Sequence, residues 1–179
     1  MLGLEVSDGL ATADLSPTFQ GGGGSFSVLG RLAQVVFTLT QFEEIHSVAF
    51  RINGAPVEVF SSEGVVLDRP QIREDFLDFL PMLFVDDPAY GGTVDNPVRV
   101  SGVGAAFEAS FQYALVDTQG TVLSEGLLMT DNGTGWGSFD SEIAYEVEQP
   151  QSGALRVWDH SMETGELQNF REYPLQLNP

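Results

Sequence analysis

Residues 30–54 read GRLAQVVFTLTQFEEIHSVAFRING, and two periodicities overlap within them. Val35, Phe37 and Leu39 alternate with Val36, Thr38 and Thr40, and four of these six are β-branched, which is a strand signature. Over a wider window, Val28, Leu32, Val35, Leu39 and Phe42 are spaced four, three, four, three, which is one stripe of a helix. Length arbitrates, because the helical stripe runs over fifteen residues and the alternation over six. Arg31 and Gln34 fall on the far side of the stripe, and Ser25 or Ser27 is placed to cap its start. The spacing predicts a helix over 26–41. A strand over 47–52 (SVAFRI) should follow, turning at Asn53-Gly54 into 56–60 (PVEVF), since Asn-Gly between apolar runs favours a tight hairpin.

Upstream, residues 4–6 (LEV) and 10–14 (LATAD) flank Ser7-Asp8-Gly9 and read as a hairpin. Ser16-Pro17 and the run Gly21 to Gly24 then break the chain. The glycine run reads as a flexible loop. A phosphate-binding loop needs Gly-Lys-Ser/Thr after it, and none follows. From about residue 79 the texture changes. Phe107, Ala109, Phe111, Tyr113 and Leu115 alternate with Glu108, Ser110 and Gln112. Asp117-Thr118-Gln119-Gly120 is a turn, 121–129 the return strand, and 132–137 another turn. Residues 138–147, 154–158 and 170–177 complete a set of short strands. The pattern predicts a β-sandwich without helices.

Composition narrows the function. Hydrophobic residues make up 42% of 179, enough for a packed core. No apolar run reaches the length of a membrane span. The N-terminus MLGLEVSDG has neither a basic region nor an apolar one, so no export signal is expected within these residues. Net charge is −19, and all seven basic residues are Arg. Residues 78–179 hold 16 acids and three Arg, against ten and four in 1–77. Such a surface repels phosphate backbones and anionic lipid, which argues against a nucleic-acid partner. Absence of Cys excludes disulfides, thiolate metal sites and thiol nucleophiles.

Several stretches resemble known bacterial domains. DGLATADLS (8–16), LAQVVFTLTQF (32–42), SVAFRING (47–54) and RPQIRED (69–75) resemble the GerMN domain of sporulation and spore germination. VRVSGVGAAFEASFQYALVDTQGTVLSEG (98–126), GWGSF (135–139) and LRVWDHSMETGELQNFREYPLQL (155–177) resemble the immunoglobulin-like domain of bacterial spore germination. The resemblance implies an α+β domain over 1–76, with one main helix on a twisted sheet, then an all-β immunoglobulin-like sandwich over 79–179. It also implies an extracellular or cell-envelope location, a non-catalytic binding or assembly role, no cofactor, and an envelope protein or peptidoglycan as partner. Members of the first family begin with a further strand and helix. Residues 1–76 are therefore expected to be an N-terminally truncated domain that leans on the second or self-associates, while 79–179 folds alone.

The candidate sites each have a plain structural alternative. Asp159-His160-Ser161 holds the residue types of a hydrolase triad, but neighbours on a strand point to opposite faces. His46 reads as a loop residue, and two His without Cys or an HExxH spacing do not make a zinc site. Asp86, Asp87, Asp131 and Asp140 offer oxygen ligands for calcium, although none sits in an EF-hand loop and turn chemistry accounts for Asp131-Asn132-Gly133 equally. Asn132-Gly133-Thr134 matches a glycosylation sequon. Trp136 and Tyr90 are candidates for stacking on a ligand, with Trp158 and Tyr113 as further aromatics; core filling is the alternative for all four. Three function classes stand: a binding or assembly module, a peptidoglycan-binding module, and a hydrolase using paired carboxylates.

Overall fold

The computed structural model describes residues 1–179, which fall into two compact units, Met1–Phe79 and Leu80–Pro179. In the first, β1 (Gly3–Ser7) and β2 (Leu10–Leu15) form the expected hairpin. Asp8 and Gly9 both have positive φ (51° and 81°), the conformation a two-residue turn of this hand requires. Helix α1 (Ser25–Leu39) then carries the chain to β3 (Ser47–Ile52), which lies parallel to β2. Parallel neighbours need a crossover, and this topology settles the double reading of residues 30–42 in favour of the helix.

The buried stripe is Val28, Leu32, Ala33, Val36 and Leu39, rotated from the expected one, so that Val35 is only half-buried and Phe42 is exposed beyond the helix end. It packs in one core with Ala11 and Ala13 of β2 and Val48 and Phe50 of β3, where the two alanines let the helix approach the sheet. Gly24, with extended backbone, occupies the N-cap position, and neither Ser25 nor Ser27 caps the helix. Arg31 lies on the half-covered flank and donates to the carbonyls of Gly21 (2.7 Å) and Gly22 (2.9 Å). Its guanidinium also sits 5.7 Å from the Phe19 ring centroid. The glycine run is thus tied to the helix rather than free.

The turn at Asn53-Gly54 forms as read, again with positive φ at both positions. Its return strand is shorter than expected: β4 covers only Ala55–Pro56, since Pro56 has no N–H to extend the ladder. Val59–Phe60 (β5) pairs instead with Val65–Val66 (β6) in a separate ribbon, and Phe60 is fully buried. A 3-10 segment over Arg73–Phe79 closes this unit and contributes Phe76 to its core. Arg69 grips Asp75 with two hydrogen bonds, holding that carboxyl below its usual pKa.

The second unit is a two-sheet sandwich. Its strands are β7 (Leu83–Asp87), β8 (Thr93–Val94), β9 (Val98–Gly104), β10 (Ser110–Asp117), β11 (Val122–Met129), β12 (Gly137–Ile143), β13 (Gln151–His160) and β14 (Leu167–Leu177). One sheet has the order β11-β10-β13-β14-β8, the other β12-β9-β7. Phe111, Leu115, Leu155, Val157 and Leu175 of the first and Val85, Val100, Phe139 and Ile143 of the second fill one core. Tyr173 is buried within it and accepts a hydrogen bond from the Val85 N–H at 3.0 Å; its burial pushes the phenol pKa up.

Three expectations for this half are corrected. The alternation over 107–116 begins only at Ser110, because Phe107–Ala109 forms a 3-10 turn with positive φ at Glu108 and Ala109, leaving Phe107 exposed. The strand expected over 138–147 ends at Ile143, although Tyr145 is still buried and donates its hydroxyl to Asn178 O at 2.7 Å. The strands at 154–158 and 170–177 are each longer than read.

Candidate functional site

The inner face of the five-stranded sheet is consumed by the core, so the outer face is the surface its rigid strands present to solvent. Residues paired across antiparallel strands share a face. Glu125, Ala114, Arg156 and Glu172 form one row across β11, β10, β13 and β14. Arg156 bonds Glu172 at 2.7 Å, a partly exposed pair of small energetic weight. The next row is different. Leu127 and Trp158 both stand opposite Gln112. On β14 the register shifts between Val157 and Asp159, so that Asn169 and Phe170 together face Trp158. Asn169 has positive φ (54°), as the extra residue of a bulge often does. Phe170, two residues from Glu172, falls on the outer side.

Beyond it lie Met129, opposite Ser110, and Leu167, opposite His160. Leu127 is 63% exposed, Met129 64% and Phe170 43%; Trp158 is half-buried. Large apolar side chains of β11, β13 and β14 thus stand on one face, with Gln112 and Ser110 of β10 between them, a pattern typical of interaction surfaces.

Beside this patch, where β10 begins and β13 ends, lies a cavity of about 120 Å³ lined by Phe107, Glu108, Gln112, Asp159, His160 and Met162, with Ser110 on its wall. Asp159 is 7% exposed, the most deeply placed carboxylate of the chain. Both its oxygens accept from the one Nδ2 of Asn169, at 3.0 and 3.2 Å. The Oε1 of Gln112 is buried without a hydrogen-bond partner.

The structure scatters most of the residues singled out from sequence. Asp159 points inward and His160 outward, while the Ser161 hydroxyl accepts from the Thr164 N–H in the following turn, so the three do not form a relay. His46 is an exposed loop residue whose backbone N–H binds Gly9 O at 2.8 Å. Asp140 is engaged by Arg99 through two bonds of 2.9 and 2.6 Å, which hold its carboxyl below its usual pKa. Asp87 and Asp140 flank Ser101 in register, with Arg99 as the cation beside them. Asp131 accepts from the Ser138 N–H at 2.7 Å across its own loop, and Asp86 neighbours Asp87 at the end of β7. No three acidic or His side chains converge on a point that could hold a metal ion.

Asn132 donates to Trp136 O and accepts from Thr134, so its amide is occupied within the turn. Trp136 is half-buried beside Gly137, which pairs with Gly104, the partner of Leu83. Tyr90 is exposed past Asp87, at the other end of the same strand. The two stacking candidates therefore sit at opposite ends of the three-stranded sheet and do not form one platform. Of the four aromatics singled out from sequence, Trp158 is the one on the apolar outer face, beside Phe170. From sequence it stood only among the further aromatics, because the row exists only once the register is known.

Comparison with known proteins places both units. Residues 1–58 match the family described as sporulation and spore germination, and residues 82–166 the family described as immunoglobulin-like domain of bacterial spore germination. No curated protein matches the chain. Among solved structures, the first GerMN domain of the sporulation protein GerM from Bacillus subtilis is 28% identical, over 41% of this chain and 55% of that one, with a TM-score of 0.38. The tandem GerMN domains of the same protein are 18% identical, over 82% of this chain and 42% of that one, also with a TM-score of 0.38. CopC from Methylosinus trichosporium OB3b is 18% identical over 54% of this chain and 93% of that one, with a TM-score of 0.33. The chain thus spans about half the length of the two GerM structures it resembles. Its two parts thus match, in order, a sporulation and spore germination domain and an immunoglobulin-like domain of bacterial spore germination.

Proposed function

We propose that the chain is a non-catalytic binding and assembly protein of the bacterial cell envelope or exterior, with no cofactor. Its partner, an envelope protein or peptidoglycan, docks on the outer face of the five-stranded sheet. One observation carries this reading: the exposed row of Leu127, Trp158 and Phe170, backed by Met129 and Leu167, on strands fixed by the core beneath them. Rigid strands hold such side chains at little entropic cost on binding, and aromatic anchors contribute most to interfaces. The two domain matches support the setting, since both are to sporulation and germination domains. The hydrolase alternative requires two carboxylates about 5–10 Å apart flanking a bond in a cleft.

The test is retention of the full chain on purified peptidoglycan and, separately, on immobilised envelope protein extract. Leu127→Glu combined with Phe170→Glu should lower retention on the true partner about tenfold or more, on the scale of losing interface anchors. Both side chains are exposed, so the fold should persist. Retention that is saturable yet unchanged in this double variant would move the binding surface elsewhere.

A further inference from the structure

The cavity beside the outer-face patch has a more specific chemistry than the patch itself. Two of its lining residues carry acceptors short of donors. The Asp159 carboxylate shares a single donor, the Asn169 amide nitrogen, between its two oxygens, and so retains unused lone pairs. The Gln112 Oε1 has no donor at all, although it is buried. Glu108 adds a second carboxylate on the turn before β10. A buried acceptor left without a donor is unfavourable, and a ligand that brings hydrogen-bond donors removes that penalty. The hydroxyl of Ser110 and the ring of His160 complete the wall, and Phe107 and Met162 border it with apolar surface.

We infer that this cavity takes the ammonium or guanidinium group of a Lys or Arg side chain from a basic, otherwise apolar segment of a partner protein. The inference rests on the outer face being the binding surface proposed above. A Lys or Arg stem is apolar and its head carries only donors, which matches an apolar border over a floor of acceptors. The volume, about 120 Å³, suits a side-chain head rather than a whole folded element. Charge agrees: the chain carries −19 and no Lys, so its field concentrates cations at the surface and repels anions. A bare metal ion is the poorer occupant, because no three acidic or His groups converge there. Leu127, Phe170 and Met129 would then contact the apolar residues either side of the inserted cation.

The test presents the full chain to an array of 15-residue peptides that share apolar flanks and differ at the centre, which is Lys, Arg, norleucine or Glu. Retention on Lys and Arg peptides should exceed that on the norleucine peptides at least tenfold, with the Glu peptides lowest. Asp159→Asn should reduce this ratio severalfold or more. Glu148→Gln, which removes the same charge from an exposed site away from the cavity, should leave it unchanged. Gln112→Lys places the chain's own ammonium at the cavity and should abolish the preference; it keeps the test valid should Asp159→Asn fail to fold. Equal retention of Lys and norleucine peptides overturns the inference, as does an equal loss in Asp159→Asn and Glu148→Gln, which would mean net-charge attraction alone. Saturable binding to peptidoglycan with basic peptides ignored also overturns it. If Leu127→Glu with Phe170→Glu abolishes retention while the cavity variants do not, the face stands and the cavity assignment falls. If neither set matters, both fall.

Discussion

Phe111→Ala should destabilise the sandwich by about 3–5 kcal/mol, the range for truncating a fully buried phenylalanine. Phe111 is 1% exposed and meets Phe139 edge to face across the two sheets, at 5.1 Å between ring centroids. The change therefore removes the hydrophobic transfer of one ring, opens a cavity and breaks an aromatic pair at once. Against a typical domain stability of roughly 5–15 kcal/mol, that is a large fraction. Both tryptophans, Trp136 and Trp158, lie in this unit, so denaturant unfolding followed by their fluorescence reads it directly. A loss below about 1 kcal/mol would mean that the core repacks around the missing ring, contrary to the usual cost of a residual cavity.

Gly102→Ala should be comparably damaging, although it adds only one methyl group. Gly102 stands on β9 between Phe139 of β12 and the β7 strand. A Cβ there would overlap the Phe84 carbonyl oxygen and come within 2.9 Å of Phe139 Cζ. The carbonyl belongs to the backbone of the neighbouring strand and cannot swing aside as a flexible side chain can. Relief requires β7 to move off β9, and overpacking of this kind costs about 1–3 kcal/mol or more. Gly135→Ala is the control, since the nearest atom to its new Cβ is Asn132 Nδ2 at 3.7 Å, an ordinary contact. It should change stability by no more than about 0.5 kcal/mol, as a surface substitution does. Equal tolerance of both substitutions would contradict the close β7–β9 packing.

The local chemistry of turns made much of the fold legible. Asp8-Gly9 and Asn53-Gly54 each specify a left-handed turn that few other pairs adopt, and both hairpins form. The stripe through Val28, Leu32 and Leu39 named the helix, and its length outweighed the β-branched run. The strands at 83–87 and 98–104 were harder to read. Val98 and Val100 alternate, but Gly102 and Gly104 replace the next inward residues, and glycine is a poor strand former without its neighbour's ring above it.

The site was the least legible part, for a reason of register. Extrapolating from Val116 opposite Val122 at the turn places Gln112 opposite Gly126. A bulge between Leu115 and Val116 shifts the pairing, so that Gln112 faces Leu127. One residue of slip changes which side chains share a face. The shift between Val157 and Asp159 has the same effect on Phe170. Neither bulge carries a Gly-Pro type signal, and both depend on tertiary pairing. The four aspartates proposed for calcium failed to converge because at least two are spent locally, Asp131 in its loop and Asp140 on Arg99.

The most direct measurement is oxidative footprinting of the full chain with and without the envelope fraction that retains it, read by mass spectrometry. Met129, Met162 and Phe170 are exposed on or beside the apolar rows, while Met82 and Tyr90 are exposed elsewhere on the same unit. The binding-face account predicts that oxidation of Met129, Met162 and Phe170 falls severalfold on binding while that of Met82 and Tyr90 stays constant. Protection of Tyr90 or Met82, with Met129 and Phe170 still fully oxidised, would contradict it.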